Sequence, residues 1–234
     1  MSENETKPAI VSVRDLHRTY LQGTIEVNAL AGVSLDIQSG SFCALMGPSG
    51  SGKSTLLNLI GGLDVPTSGS VVVDGTDLAQ ISPADRSRMR LERIGFVFQA
   101  YNLIPVLSAY ENAEFVLLMR GVSPAERKER VMSTLKAVGL EGMEHRRPNE
   151  LSGGQQQRVA VARAIVGKPA LVLADEPTAN LDTKTGEDLL DTMRALNDEH
   201  DITFVFATHD PKVMERAQRI VRLVDGNIQE DFSQ

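Results

Sequence analysis

Gly47-Pro48-Ser49-Gly50-Ser51-Gly52-Lys53-Ser54-Thr55 stands between one apolar run, residues 42–46, and a second, residues 56–63. The first run reads as a buried strand and the second as a helix, so the glycine-rich stretch is the turn that joins them. Gly47, Gly50 and Gly52 permit a curl whose N–H groups point inward, and the helix that begins near Lys53 adds the positive end of its dipole. Such a loop is short of acceptors, and anionic phosphate supplies them. In this pattern Lys53 reaches the β- and γ-phosphates, Ser54 places its hydroxyl on Mg²⁺, and Thr55 supports the α-phosphate side.

Working outward, residues 10–16 and 27–37 alternate apolar and polar side chains and predict strands of a half-exposed sheet. Beyond the helix lie Gly61-Gly62, a strand at 71–73 and the turn Asp74-Gly75, a hairpin-like unit. A basic helix over 83–93 precedes a strand over 94–98 that delivers Gln99. The middle turns helical: Ser108 with Glu111 and Ser123 with Glu126 form capping boxes, with Gly121 and Gly139 as stops, and no strand signal interrupts residues 105–150. From residue 170 the pattern alternates again: strand 170–174, helix 183–197, strand 202–207, helix 211–218, strand 220–224 and the turn Asp225-Gly226. No internal repeat or low-complexity linker is present, so one domain spans residues 1–234, with core segments 9–99 and 159–230 around a helical insertion of about 100–158.

With 234 residues the chain can bury one large core but not two independent enzymes. Composition is 41% hydrophobic and 24% charged, and no apolar stretch approaches the roughly 18 residues that a membrane helix requires. Residues 1–8 are polar, which predicts a frayed start, no secretory leader and a cytosolic address. Cys43 is the one cysteine and lies in an apolar strand, where a small core residue is expected rather than a reactive thiol. A net charge of −7, no Trp and 4% aromatic residues argue against a nucleic-acid surface, so no nucleic-acid partner is expected.

Leu171-Val172-Leu173-Ala174-Asp175-Glu176 reads as a buried parallel strand that ends in two acids. Adjacent acids on a strand face opposite ways, so Asp175 faces the magnesium shell while Glu176 turns toward the γ-phosphate to polarise a water. Alone, this pair would read as an exposed acidic turn; the phosphate loop upstream reverses that. Leu151-Ser152-Gly153-Gly154-Gln155, followed by Gln156-Gln157-Arg158, opens an amphipathic helix, and Ser152 with Gln155 forms another capping box. Gly153 and Gly154 leave N–H groups bare of side-chain cover, a second anion site on the same chain. Two half-sites on one chain suggest a dimer that shares two nucleotides.

Over residues 10–229 these motifs, in this order, resemble the ATP-binding cassette ATPases. Residues 47–54 are similar to the Walker A loop, Gln99 to the Q-loop, residues 151–155 to the signature motif and residues 171–176 to the Walker B strand. Ala179-Asn180-Leu181-Asp182 resembles the D-loop, with Ala179-Asn180 where Ser-Ala or Gly-Asn is commoner. His209, in Ala207-Thr208-His209-Asp210, resembles the switch histidine. Residues 175–182, Gln155 to Arg158 and Gly62-Leu63-Asp64 look like the lipoprotein-releasing and macrolide-export branch. The fold class that the resemblance implies is α/β: a P-loop NTPase core with an N-terminal antiparallel β subdomain and an inserted α-helical subdomain.

The same resemblance implies that two copies pack head to tail, so that ATP held by Lys53 and Gly47, Pro48, Ser49, Gly50, Ser51, Gly52, Ser54 and Thr55 of one is closed by Leu151, Ser152, Gly153, Gly154 and Gln155 of the other. Glu176 then orients or deprotonates water, His209 holds the γ-phosphate and that water in line, and Asp182 crosses the interface. Ser54, Gln99 and Asp175 hold Mg²⁺. Tyr20 is the candidate to stack on adenine; a partly buried tyrosine packing the first sheet is the other reading. A groove between Gln99 and Tyr110, lined by Tyr101, Leu103, Leu107 and Tyr110, suits a short helix of a transmembrane permease subunit, and the same residues equally suit the core of the insertion. The implied function is a peripheral ATPase at the cytoplasmic face of the inner membrane, driving a permease in export, lipoprotein or lipid extraction, or mechanotransmission. A soluble cassette acting on nucleic acid or ribosomes is the alternative, although such proteins usually carry tandem cassettes or long coiled-coil insertions, and neither is found here.

Overall fold

The computed structural model describes residues 7–234; the frayed start expected for residues 1–8 falls mostly outside them. In chain order come β1 (Ala9–Gln22), β2 (Ile25–Gln38), β3 (Phe42–Met46), α1 (Lys53–Ile60), β4 (Ser68–Val73), β5 (Thr76–Asp77), α2 (Pro83–Arg93) and β6 (Ile94–Val97). Next are α3 (Ala109–Met119), α4 (Pro124–Ala137), a 3-10 turn at Pro148–Glu150 and α5 (Gly153–Ile165). The chain closes with β7 (Leu171–Asp175), α6 (Thr183–His200), β8 (Thr203–Thr208), α7 (Pro211–Arg216), β9 (Arg219–Val224) and β10 (Asn227–Ser233).

Two sheets result. A six-stranded sheet runs β10-β9-β3-β8-β7-β6, with parallel pairing from β9 to β6 and β10 antiparallel at one edge. All of β3 and β8 is buried, as expected of central strands covered on both faces. Phe42 and Phe206 meet there with centroids 4.5 Å apart. Burial pushes the Cys43 thiol up to about 12, consistent with a core position. The four-stranded antiparallel sheet, β2-β1-β4-β5, shares an apolar cluster with α1 and one face of the large sheet. The other cluster joins α3, α4, α5 and α6 to the opposite face. Each fully buried Leu, Ile, Val or Phe there contributes about 1.5–3 kcal/mol of transfer free energy.

Local signals explain most boundaries. Ser108 accepts the Glu111 N–H at 3.2 Å and Glu111 returns the bond to the Ser108 N–H at 2.7 Å, a complete capping box. The box expected at Ser123 is only half formed. Ser123 accepts from the Glu126 N–H, but the Glu126 carboxylate turns to Arg130, 3.3 Å away, one turn along α4.

Four elements differ from expectation. β1 extends to Gln22, past the expected end at residue 16, because its register shifts on either side of Leu16 and Asp15 adopts φ +44°; the bulge breaks the two-residue alternation. β10 was not expected at all: its side chains are mostly exposed and polar, and pairing with β9 supports it, reinforced by an Arg219 fork on Asp231 at 2.8 and 2.7 Å. At the C-terminal end α6 continues to His200 and α7 stops at Arg216.

Candidate functional site

The loop between β3 and α1 is held in its curl by contacts that exclude side chains. A Cβ on Gly47, at φ +152°, would lie 2.1 Å from Leu223 O, and one on Gly52, at φ +99°, would lie 2.5 Å from Ala29 O. Gly52 is also the N-cap of α1 and supplies no side-chain acceptor, so the first N–H groups of this helix stay available to an anion. Lys53 is buried, and its Nζ donates to Gly47 O at 2.7 Å and to Pro48 O at 2.9 Å, arching back over the loop. A cavity of about 690 Å³ opens here, lined by residues 48–55, Tyr20, Val27, Asn28, Ala29, Gln99, Glu176, Ala179 and His209. That volume suits a nucleotide-sized ligand.

Parallel pairing of β7 with β8 brings Glu176 into the lining of this cavity, with Asp175 just behind it against Ser54. Ser54 Oγ donates to Asp175 Oδ1 at 3.0 Å across 121 residues of chain. Burial raises the Asp175 carboxyl above its ordinary value; the Ser54 bond works against this, and the neighbouring Glu176 charge adds to it. Glu176 sits at φ +45°, a left-handed conformation that costs a non-glycine residue about 1–2 kcal/mol. Three bonds hold it: its N–H donates to Ala207 O at 2.8 Å, Thr208 Oγ1 donates to Oε2 at 2.8 Å, and His209 Nδ1 lies 2.7 Å from Oε1. Gln99 also lines the cavity, and its backbone carbonyl accepts from Asn180 Nδ2 at 2.9 Å. Among the described residues no group of three or more His, Cys, Asp or Glu side chains could hold a metal by itself. The hydroxyl, carboxylate and amide of Ser54, Asp175 and Gln99 are hard oxygen donors of the kind Mg²⁺ takes alongside phosphate oxygens and water.

Tyr20 borders the cavity, with constraints that were not legible in the sequence. Its Oη donates to Asp64 Oδ2 at 2.7 Å, Arg18 lies 4.4 Å over its ring, and Arg18 forks onto the same Asp64 at 2.9 and 2.8 Å. Burial acts to raise the Asp64 carboxyl, but bonds from Tyr20 and the Val65 N–H, with the Arg18 charge, outweigh it and hold the group below its usual range.

Residues 151–155 line no part of this cavity. Ser152 and Gln155 form the complete capping box at the start of α5. The two glycines have a packing role that adds to their open N–H groups: a Cβ on Gly154 would lie 2.2 Å from Thr185 Cγ2, and one on Gly153 would lie 2.8 Å from Tyr101 Oη. Asp182 caps α6, accepting the Thr185 N–H at 3.1 Å, and the bonds to Thr185 lower its carboxyl pKa.

The expected groove is partly filled. Leu103 and Tyr110 pack against the helical core, and Tyr110 Oη lies 3.4 Å from Glu114 Oε1. A separate cavity of about 430 Å³ opens nearby, with Leu63, Phe96, Phe98 and Val116 on its apolar side and Asn102 beside it. Arg90, Arg120 and Arg163 also line it, with no carboxylate. No sequence pattern placed these arginines together, because Arg90 lies on α2, Arg120 is the residue that follows α3, and Arg163 lies on α5.

A family model described as ABC transporter matches residues 30–179. An uncharacterised ABC transporter ATP-binding protein of Thermotoga maritima is 46% identical over 94% of both chains. The macrolide export ATP-binding/permease protein MacB of Syntrophobacter fumaroxidans is 46% identical over 94% of this chain, which spans only 31% of that protein. MJ0796 of Methanocaldococcus jannaschii, an uncharacterised ABC transporter ATP-binding protein, is 43% identical. Its dimeric post-hydrolysis structure bound to ADP and Pi superposes with a TM-score of 0.88, covering 95% of this chain and 98% of that one.

Proposed function

The chain belongs to the ABC transporter family, and on that premise we propose that it binds ATP with Mg²⁺, closes around two ATP molecules with a second copy of itself, and hydrolyses them to drive a transmembrane permease. The observation that carries this reading is the convergence on one cavity of loop residues 48–55 with Glu176 and His209. The dimeric MJ0796 structure with ADP and Pi supports the pairing and the chemistry, and the ATP-binding/permease name of MacB supports the coupling.

In the proposed mechanism the uncapped start of α1 and the Lys53 ammonium hold the phosphates. Glu176 orients the attacking water and draws its proton, while His209, in the doubly protonated form whose Nδ1–H donates to Glu176, donates its Nε2–H to the γ-phosphate. Ser54, Asp175 and Gln99 would hold Mg²⁺, which would supply positive charge to offset that of the phosphates. Ser152, Gly153 and Gly154 meet the ATP of the second copy, and Asp182 lies at the same interface. Tyr20 stacks on the adenine.

Among the described residues no helix is long and apolar enough to cross a membrane. The permease is proposed to dock near residues 99–110, placing the chain at the cytoplasmic face of the membrane. The cavity with Phe96, Phe98 and three arginines fits an apolar helix that carries an acidic residue. Export, lipoprotein or lipid extraction, and mechanotransmission are all compatible with this arrangement.

Direct titration of the purified chain with ATP tests the reading. Lys53→Ala should weaken affinity about tenfold or more by deleting a charge-assisted contact. Unchanged affinity would remove the loop from nucleotide binding.

A further inference from the structure

Gln157 is fully buried near the start of α5, and no role described above uses it. Its Nε2 donates to Phe98 O at 3.2 Å and to Pro177 O at 2.8 Å. Phe98 immediately precedes Gln99, and Pro177 immediately follows Glu176. A single amide therefore ties α5 to both segments that enter the cavity.

The orientation of that amide follows from its neighbours. Both are carbonyl oxygens, so only the NH₂ end can face them. Each amide hydrogen then has an acceptor, while Oε1 is buried with no partner. A buried side chain that leaves its acceptor unmatched yet uses both donors is placed for those donors. Arg163, further along α5, grips the far side of the same segment: Nη1 donates to Asn102 O at 2.6 Å and Nη2 to Tyr101 O at 3.0 Å. Helix α5 thus holds the chain on both sides of Gln99 and directly after Glu176. Its other end is the capped start at Ser152, the part proposed to meet the nucleotide of a second copy.

We propose that Gln157 is a positioning residue that couples engagement of the α5 N-terminus by the second copy's ATP to the placement of Glu176 and Gln99 in its own chain. The inference rests on the ATPase reading. A packed helix shifts as a unit, and the two amide bonds, a buried one to Pro177 and a part-buried one to Phe98, pass its displacement to both segments at once. Each cavity thereby responds to occupancy of the other.

Gln157→Met tests this, because methionine keeps the length and the unbranched stem but has no donor. ATP affinity by direct titration should stay within about twofold, while kcat falls about tenfold. Gln157→Asn, too short to span both carbonyls, should behave alike and serves if the methionine variant does not fold. The control is Arg158→Met on the same helix, whose Nη1 bonds Val138 O and Thr192 Oγ1 instead. It should retain kcat within about twofold. Wild-type turnover in a folded Gln157 variant, a matching fall in ATP affinity, or an equal loss in Arg158→Met would each overturn the inference. Absence of ATP hydrolysis by the wild-type protein would instead overturn the ATPase reading, and this inference with it.

Discussion

His209 Nδ1 and Glu176 Oε1 lie 2.7 Å apart although the residues stand 33 positions apart and follow different strands. Pairing of β7 with β8 makes this contact, since Asp175 is opposite Ala207 and each strand releases its next residues at the same edge of the sheet. Thr208 holds the second carboxylate oxygen, so Glu176 is oriented from both sides. A group fixed in that way needs little reorganisation to align a water.

Glu176→Gln should therefore retain ATP binding while turnover falls about 10²- to 10⁴-fold, and the closed dimer should accumulate. Steady-state hydrolysis with light scattering in ATP measures both effects. Near-normal turnover would remove Glu176 from its role.

Ser152 is exposed, so an arginine there is accommodated by the isolated chain at the cost of the helix cap, about 0.5–2 kcal/mol. Ser152→Arg should nevertheless block ATP-driven dimerisation, because bulk at the shared face prevents closure. ATP-dependent dimers formed by Ser152→Arg in a Glu176→Gln background would contradict the two-copy arrangement.

The Asp175 carboxyl is raised by burial, so the native state binds its proton more tightly than the unfolded chain does. Its contribution to stability is most favourable below the unfolded carboxylate pKa and falls as pH rises toward the folded value. Asp175→Asn should accordingly raise Tm at neutral pH, lose that advantage in acid, and impair hydrolysis. A Tm gain independent of pH, or no gain at neutral pH, would show that desolvation of this carboxylate is not the controlling factor.

Tyr20 uses its hydroxyl on Asp64 and one ring face on Arg18, which leaves the opposite ring face as the part available to a base. Tyr20→Phe should keep ATP affinity within about twofold, whereas Tyr20→Ala should lose about 1–3 kcal/mol, as base stacking does elsewhere. Equal losses in both variants, read by calorimetry, would indicate that the Asp64 bond matters and stacking does not.

Legibility in the sequence followed the range of the interaction. The capping box at Ser108 and Glu111 lies within four residues and was readable, while the matching pattern at Ser123 failed because Glu126 also had Arg130 within one helical turn. The extension of β1 past Leu16 was hidden by a bulge, and β10 by its polar, edge-exposed side chains. Arg18 and Asp64, 46 residues apart, carry no shared pattern, yet together they brace Tyr20.

By itself the chain of residues determined the local chemistry: a loop at 47–55 that requires glycine and leaves the start of α1 without a side-chain cap, a strand that ends in two acids, and helix starts at Ser108 and Ser152. Backbone sterics and capping act over a few residues, so short motifs carry them completely. Only the tertiary structure decided which motifs meet. It set Ser54 against Asp175 and His209 against Glu176, kept residues 151–155 out of the cavity of their own chain, and placed Gln157 between Phe98 and Pro177. Those meetings depend on strand order and helix packing, which arise from burial summed over the whole molecule rather than from any one segment.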